Sequence, residues 1–263
     1  HPASEQISFA SDFPNDTGKY HIIKCIEKCR TQPGIWAASG NACVVHLQHE
    51  SMKMKCIQEI RIPDACQVRV LHEDDQGNLW IGTENAIYQY SISDGNMRRI
   101  HKDTGAINGI AISPDKAIYY ITETPEFSCL PPDGQVHSIH KGENYSSIII
   151  SPDNKIWTAT LEGNVYSYHP QLQTLAREDN ACNANGDAVK SMTVDNLGHL
   201  WILADQYVKE YNPKNHSFRI LYNSDRFIQV DYFLSIGKIE NGTICLGGIG
   251  AFCLATPSPE LDQ

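Results

Sequence analysis

Residues 75–90 read DQGNLWIGTENAIYQY and form two short strands separated by turns. The pair Gly77-Asn78 can take the positive φ angles that a tight turn needs. Residues 79–83 are rich in β-forming side chains, and residues 87–90 alternate in polarity as a half-buried strand does. An isolated hairpin is at best marginally stable in water, so this stretch requires neighbouring strands.

The same hairpin recurs along the chain when it is aligned on Trp80. Five other segments carry a comparable hydrophobic run, with Tyr or Cys in the Trp position of two of them. The repeat anchors are Trp36, Trp80, Tyr119, Trp157, Trp201 and Cys245. The differences between these positions are 44, 39, 38, 44 and 44 residues. Six units with a period of about 40 residues predict the four-stranded blades of a β-propeller.

The sequence predicts an all-β fold in which strands A, B, C and D run from the inside to the outside of each blade. Five D segments follow six C segments, and residues 6–10 (QISFA) belong to no preceding hairpin. We therefore expect residues 6–10 to be strand D of the last blade, which closes the ring and removes open edges. Six blades are favoured, and a partial seven-bladed ring is the alternative. No helix is predicted, because no window combines a 3.6-residue period with end caps.

Length and composition indicate one domain over residues 1–263, with an irregular tail at residues 256–263. Hydrophobic residues make up 41% and charged residues 20%, which is typical of a globular protein. The net charge of −10 argues against nucleic acid as a partner, since phosphates require a basic surface. Nine cysteines leave at least one outside any internal disulfide, and we expect most to be small buried hydrophobic residues.

Residues 74–90 resemble the repeat of the two-component regulator propeller family. The matching pattern is Asp-x-x-Gly-Asn-Leu-Trp-Ile-Gly-Thr, and the chain departs from it at Ala86-Ile87, where Gly-Leu is usual. Residues 198–202 and 154–158 are weaker copies. The resemblance extends over most of the chain as a repeat pattern, so it indicates architecture more specifically than ligand.

The resemblance implies a role in signalling. Such propellers are the periplasmic sensor domains of hybrid two-component systems in Bacteroidetes-type gut bacteria, where they detect glycan-derived oligosaccharides and also serve in dimerisation. The expected partners are an oligosaccharide signal or a second protomer, with which the chain would form a homodimer. The chain itself is not expected to be an enzyme. Histidine kinase activity and membrane contact would belong to other segments of the full-length protein.

Ligands of propellers usually lie over the mouth of the channel, where B–C loops and the first residues of strand A gather. We expect the ligand-binding residues in this region. They are Glu84, Asn85, Glu123, Glu162, Asp205, Gln206, Tyr145, Lys190 and Tyr232. The aromatic anchors sit in mid-strand at one repeated position, which favours packing between blades over stacking on sugars.

Two other function classes remain open. Streptogramin-type lyases are also propellers with Trp-containing repeats, and they need a metal and a catalytic histidine at the mouth; His21 is the only such histidine at the start of a strand A. The ring could alternatively be a pure interaction scaffold that forms a dimer. No metal or cofactor is expected, because the sequence contains no HExxH, HxH or Gly-rich nucleotide motif.

Overall fold

The structure is a computed structural model. It describes residues 23–39, 42–50, 53–65, 67–103, 105–182, 186–204, 207–222, 233–239, 242–248 and 252–262. These residues form 23 β-strands and two short 3-10 segments, without an α-helix. Within the same ranges, no helix is long and apolar enough to cross a bilayer.

The strands form six antiparallel sheets, each a meander whose order in space follows the order in the chain. Five sheets have four strands, and the last has three among the described residues. The predicted all-β propeller of six blades is confirmed. The predicted closing strand at residues 6–10 lies outside the described residues, so closure stays a prediction.

The chain divides into two compact units, residues 1–107 and 108–263. The prediction of one domain over residues 1–263 therefore stays a prediction. Blades 1 and 2 lie in the first unit. Blade 1 contains β1 (Ile23–Lys28), β2 (Ile35–Ser39), β3 (Cys43–Glu50) and β4 (Lys53–Arg61), and blade 2 contains β5 (Val68–Glu73), β6 (Asn78–Thr83), β7 (Ala86–Ser91) and β8 (Met97–Lys102).

Blades 3 to 6 form the second unit, whose first strand starts at the boundary. Blade 3 contains β9 (Ile107–Ile112), β10 (Ile118–Thr122), β11 (Glu126–Leu130) and β12 (His137–Lys141); blade 4 contains β13 (Tyr145–Ile150), β14 (Ile156–Thr160), β15 (Val165–His169) and β16 (Thr174–Arg177). Blade 5 contains β17 (Val189–Val194), β18 (Leu200–Ala204), β19 (Tyr207–Tyr211) and β20 (Phe218–Tyr222); blade 6 contains β21 (Phe233–Lys238), β22 (Ile244–Gly248) and β23 (Phe252–Ala255). A short 3-10 segment at Pro259–Asp262 occupies part of the tail predicted to be irregular.

Strand A carries a β-bulge at the same place in blades 1, 2, 4, 5 and 6. The pairing with strand B skips the second residue of the strand, as between Val68 and Val70 in blade 2. The skipped residues are Lys24, Arg69, Ser146, Lys190 and Leu234. A bulge re-aims a side chain and bends the strand. It thus sets the direction of Arg69 and Lys190 at the end of the blade where strand A begins.

The core consists of apolar layers between successive blades. In the first unit, Trp36 and Val44 of blade 1 pack in one cluster with Leu79 and Tyr88 of blade 2. In the second unit, Trp157 belongs to the cluster shared with blade 5, and Trp201 to the cluster shared with blade 6. Trp36, Trp157 and Trp201 thus bury their rings against the following blade, which is how repeats stabilise one another.

Gly82 offers a direct test of this packing. An added Cβ would lie 2.5 Å from Val70 Cγ1 and 2.9 Å from Ile107 Cγ2. We expect Gly82→Ala to lower the free energy of unfolding by about 1–3 kcal/mol, because it overpacks a filled core. The measurement is chemical denaturation followed by tryptophan fluorescence.

Gly237→Ala is the matched control, since a Cβ there would meet no atom within 4 Å. It should be neutral, or stabilise the fold by up to about 1 kcal/mol through the lower entropy of the unfolded chain. Equal destabilisation by both substitutions would contradict the packing account.

Candidate functional site

Asp74 organises the turn between strands A and B of blade 2. One oxygen accepts the backbone N–H groups of Gln76 and Asn78, each at 2.9 Å, and the other accepts the indole Nε1–H of Trp80 at 2.9 Å. Burial disfavours the charged carboxylate, but these hydrogen bonds outweigh it and hold the pKa of Asp74 below its usual range. The anchor tryptophan and the turn are therefore fixed by one side chain.

In the second unit, the residue six positions before each tryptophan likewise accepts the indole N–H. Asp195 accepts the indole N–H of Trp201 at 2.8 Å, and Ser151 Oγ accepts that of Trp157 at 3.1 Å. Blade 1 is different, because position 30 is an arginine and cannot accept. There Glu73 of blade 2 receives the Trp36 indole at 2.6 Å. The buried indoles are thus satisfied by local acceptors or, in blade 1, by the neighbouring blade.

Asp195, His199 and Glu210 form a buried cluster in blade 5 whose ligand atoms lie within 4.8 Å of one another. His199 Nδ1 lies 2.9 Å from Glu210 Oε1 and 3.7 Å from Asp195 Oδ2. The carboxylates already accept hydrogen bonds from backbone and indole N–H groups, and Glu210 also pairs with Arg219. A metal ion would have to displace these donors, so the cluster fits a structural role better than a metal site.

The cluster also ties the C-terminal tail to blade 5. The backbone N–H of Ser258 donates to Glu210 Oε1 at 2.9 Å, and Arg219 Nη2 donates to the carbonyl of Thr256 at 2.8 Å. The carbonyl of Leu261 accepts from Asn212 Nδ2 at 2.8 Å and from Asn215 Nδ2 at 2.7 Å. The tail is therefore held along the outer part of this blade.

A second group of ionisable residues lies on the inner strands of blades 1 and 2. His72 Nδ1 is 3.5 Å from Glu27 Oε1, and Glu73 beside them is fully buried. Burial raises the pKa of Glu27 to about 7. Burial, followed by the charge of Arg30, lowers the pKa of His72 to about 4. Both groups are therefore held toward their neutral forms in the folded protein.

The described cysteines are thiols that form no disulfide with one another. They include Cys25 and Cys29, whose pKa values burial raises to about 12. Such thiols stay protonated and unreactive at neutral pH. Cys66 lies outside the described residues.

In the first unit, the structure places the predicted mouth residues Glu84 and Asn85 in the B–C loop of blade 2. Glu84 Oε1 lies 3.7 Å from Arg69 Nη2, and both side chains are partly exposed. The hydroxyl of Thr83 accepts the backbone N–H groups of Asn85 and Ala86 at 3.4 and 3.0 Å and shapes the loop. A carboxylate and a guanidinium thus stand together where strand A begins and strand B ends.

In the second unit, the predicted residues are less uniform. Glu123 and Glu162 are exposed, and Lys190 is partly buried on β17. Tyr145 is only 3% exposed, and its hydroxyl forms a hydrogen bond with His140 Nδ1. The ring of Tyr145 therefore packs in the core, and only its hydroxyl reaches the polar residues around it. The predicted residues Asp205, Gln206 and Tyr232 lie outside the described residues.

A polar network surrounds the start of β13 in blade 4. Arg177 donates through Nε and Nη2 to Asn164 Oδ1 at 3.1 and 2.9 Å, and Asn164 Nδ2 donates to Glu143 Oε2 at 2.9 Å. The hydroxyl of Tyr166 donates to the other oxygen of Glu143 at 2.6 Å. We refer to Glu143, Asn164, Tyr166 and Arg177 as the blade 4 network.

Glu162 stands next to the blade 4 network. Asn144 Nδ2 donates to Glu162 Oε1 at 2.6 Å, and this bond lowers the pKa of Glu162 from its ordinary value. Burial raises the pKa of Tyr166, and its bond to Glu143 adds to the effect. Exposed carboxylate, amide and guanidinium groups therefore converge at this end of blade 4, where they can exchange hydrogen bonds with a polar ligand.

The comparisons with known proteins agree with this architecture. The family model described as "Two component regulator propeller" matches residues 62–85. This segment thus matches a two-component regulator propeller repeat. The resemblance predicted from residues 74–90 is thus confirmed. No curated protein sequence gives a significant match.

The solved structures that resemble this chain include extracellular domains of signalling systems from B. thetaiotaomicron. The extracellular domain assigned to the one-component system BT4673 has a TM-score of 0.72 at 18% identity, covering 94% of this chain and 34% of that chain. The extracellular domain assigned to the hybrid two-component system BT3049 has a TM-score of 0.72 at 18% identity, covering 91% and 34%. The chain thus spans about a third of the length of these structures, and the likeness establishes the propeller fold.

Sequence reasoning missed the acceptors in the A–B turns, the blade 4 network and the Glu210 cluster. The acceptors did leave a signal, since Asp or Ser precedes Trp by six residues at Asp74, Ser151 and Asp195. The blade 4 network joins residues 13 to 23 positions apart that share no motif. Nothing in a linear pattern indicated it.

Asp74→Ala tests the turn acceptor. It should lower the free energy of unfolding by about 2–3 kcal/mol, because it leaves a buried indole N–H and two backbone N–H groups without an acceptor. Asp75→Ala is the control, since that side chain is 86% exposed and its contact with Arg30 is a surface ion pair. Urea denaturation measures both, and equal effects would contradict the assigned role of Asp74.

The shifted pKa values of Glu27 and His72 predict that their contributions to the free energy of unfolding change with pH in opposite directions. The raised pKa of Glu27 contributes stability that is complete below pH 4.5 and is lost as pH rises through about 7. The lowered pKa of His72 destabilises the fold at pH values below about 4, and this penalty disappears by pH 6.5. The two effects oppose each other in the wild-type protein.

Relative to wild type, Glu27→Gln should therefore gain stability as pH rises from 4.5 to 7. His72→Gln should instead lose relative stability as pH rises from 4 to 6.5. Each difference should amount to about 1–3 kcal/mol. Denaturation at a series of pH values measures them, and parallel curves for all three proteins would contradict the predicted titrations.

Proposed function

We propose that this chain is the ligand-sensing, extracytoplasmic propeller domain of a hybrid two-component sensor, located in the periplasm. The observation that carries the proposal is the two-component regulator propeller repeat at residues 62–85, set in a six-bladed fold. The structural resemblance to extracellular domains assigned to such systems supports it. The chain acts by binding, and histidine kinase activity belongs to another part of the full-length protein.

We propose that the signal is a glycan-derived oligosaccharide bound at the mouth end of the blades. Sugar hydroxyls both donate and accept hydrogen bonds, so they suit mixtures of carboxylate, amide and guanidinium groups. Such mixtures occur at Glu84 with Arg69 in the first unit, and at Glu162 and Arg177 in the second. Each unit therefore offers its own polar contacts to a ligand.

Signal transfer follows from differential binding. An oligosaccharide can shift the receptor between states only if it binds one arrangement of the protein more tightly than another. A second protomer is the proposed partner in this step, because pairing of sensor domains can be communicated to a kinase. A homodimer that strengthens on ligand addition is the expected form of the response.

The binding proposal is tested by isothermal titration calorimetry of the purified chain with oligosaccharides from arabinan, galactan, mannan, xylan and starch. We expect saturable binding of at least one of them. Glu162→Ala should weaken that binding about 10-fold or more, since hydrogen bonds to charged groups contribute about 1.5–3 kcal/mol.

Glu260→Ala is the control, because Glu260 is exposed and lies away from the mouth in the C-terminal 3-10 segment. Light scattering with and without the bound oligosaccharide tests dimer formation. Absence of binding by every oligosaccharide would overturn the proposed signal class. Binding that Glu162→Ala leaves unchanged would overturn the proposed site.

A further inference from the structure

A polar groove lies on blade 2, at the end opposite the predicted mouth. Its cavity volume is about 490 Å³, and its lining includes Asn78, Gln89, Ser91, Asp94, Asn96 and Arg98. Small-molecule sites in proteins usually have volumes of about 300–1,000 Å³. The groove is thus large enough for a small ligand, and blade 2 alone forms it.

Strand register explains why these side chains meet. Asn78 of β6 pairs with Ser91 of β7, and Gln89 of β7 pairs with Arg98 of β8. Directly paired residues project to the same face of a sheet, as do residues two apart on one strand. Asn78, Gln89, Ser91 and Arg98 therefore share one face of blade 2. The opposite face carries Leu79, Tyr88 and other residues of the apolar cluster shared with blade 1.

The lining retains unused hydrogen-bonding capacity. Arg98 Nη2 donates to Gln89 Oε1 at 2.8 Å, which leaves Gln89 Nε2 and the remaining guanidinium N–H groups without a partner among the described residues. Asn78 Nδ2 donates to Asp74, and its side-chain carbonyl oxygen accepts no hydrogen bond within that part of the chain. Donors and acceptors are therefore both available to a ligand.

The charges of the groove balance each other. Hydrogen bonds from Ser91 and Asn96 hold the pKa of Asp94 below its usual range, so this carboxylate is negative at neutral pH. Arg98 is always positive. Asp94 would repel an anion, and Arg98 would repel a cation. A neutral molecule with several hydroxyl groups can form hydrogen bonds with both side chains and with the amides of Asn78, Gln89 and Asn96.

We propose that this groove binds a neutral mono- or disaccharide at a site separate from the mouth. This second sugar site does not depend on ligand binding at the mouth. Each sugar hydroxyl can donate to Asp94 or the Asn78 carbonyl and accept from Gln89 or Arg98. The open position of the groove suits one end of a longer chain as well as a free sugar.

The test is a titration of the ¹⁵N-labelled chain with maltose, cellobiose, lactose and mannobiose, followed by NMR of the side-chain amide groups. We expect saturable shifts of the Gln89 and Asn96 amide resonances with at least one disaccharide. Arg98→Ala should weaken the apparent affinity about 10-fold, as expected for loss of a charged hydrogen-bond donor. Circular dichroism verifies that the variant is folded.

Arg99→Ala is the matched control. Arg99 adjoins Arg98 on β8 but bonds to Asp64 at 2.9 Å and does not line the groove. Shifts that Arg98→Ala leaves unchanged would overturn the assignment, and so would failure of every disaccharide to move these resonances. Equal shifts on addition of sodium sulfate would overturn the neutral-sugar assignment in favour of an anion site. If Glu162→Ala abolished oligosaccharide binding at the mouth but left the Gln89 and Asn96 shifts intact, the two sites would be independent, as proposed.

Discussion

The buried indole N–H of the blade anchors is the constraint from which much of this structure follows. A tryptophan ring that fills the space between two blades carries one polar atom into an apolar layer, and an unsatisfied donor there costs about 1–3 kcal/mol. Asp74, Ser151 and Asp195 meet that requirement from the A–B turn of the same blade. Because Asp74 and Asp195 also accept the backbone N–H groups of the turn, packing between blades and the path of the turn are determined together.

Blade 1 shows what happens when the local acceptor is missing. Position 30 is arginine, and the Trp36 indole bonds instead to Glu73 on the inner strand of blade 2. Glu73 also accepts the N–H and hydroxyl of Thr31 at 2.8 and 2.5 Å. One buried carboxylate thereby links two blades of the first unit. Burial holds the neighbouring Glu27 and His72 toward their neutral forms, because the charged form of either side chain would be poorly solvated there.

Residues that hold the blades together and residues that can bind ligands occupy different parts of each blade. The indole turns and the groove of blade 2 lie at one end of the blades, while the B–C loops and the bulged starts of strand A lie at the other. The buried polar side chains already form hydrogen bonds within the protein, so few of their donors and acceptors are available to a ligand. The Asp195–His199–Glu210 cluster is an example. Glu162 and Arg177 also form hydrogen bonds within the protein, but both side chains are exposed, so ligands can reach them.

The sequence by itself determined the strands, their order and the blade number, because a repeated hairpin with period-2 polarity and a buried anchor specifies them locally. Residues 79–83 and 87–90, which were predicted to be strands, lie within β6 (Asn78–Thr83) and β7 (Ala86–Ser91). Only the tertiary structure decided which polar residues meet: Glu143 with Tyr166, Glu210 with His199 and Ser258, and Gln89 with Arg98. Strand register sets the pair of Gln89 with Arg98, whereas turns, loops and the C-terminal tail bring the other pairs together. Because a shift of one residue moves every side chain to the other face, the local pattern of residues 75–90 identifies the blade but not the site.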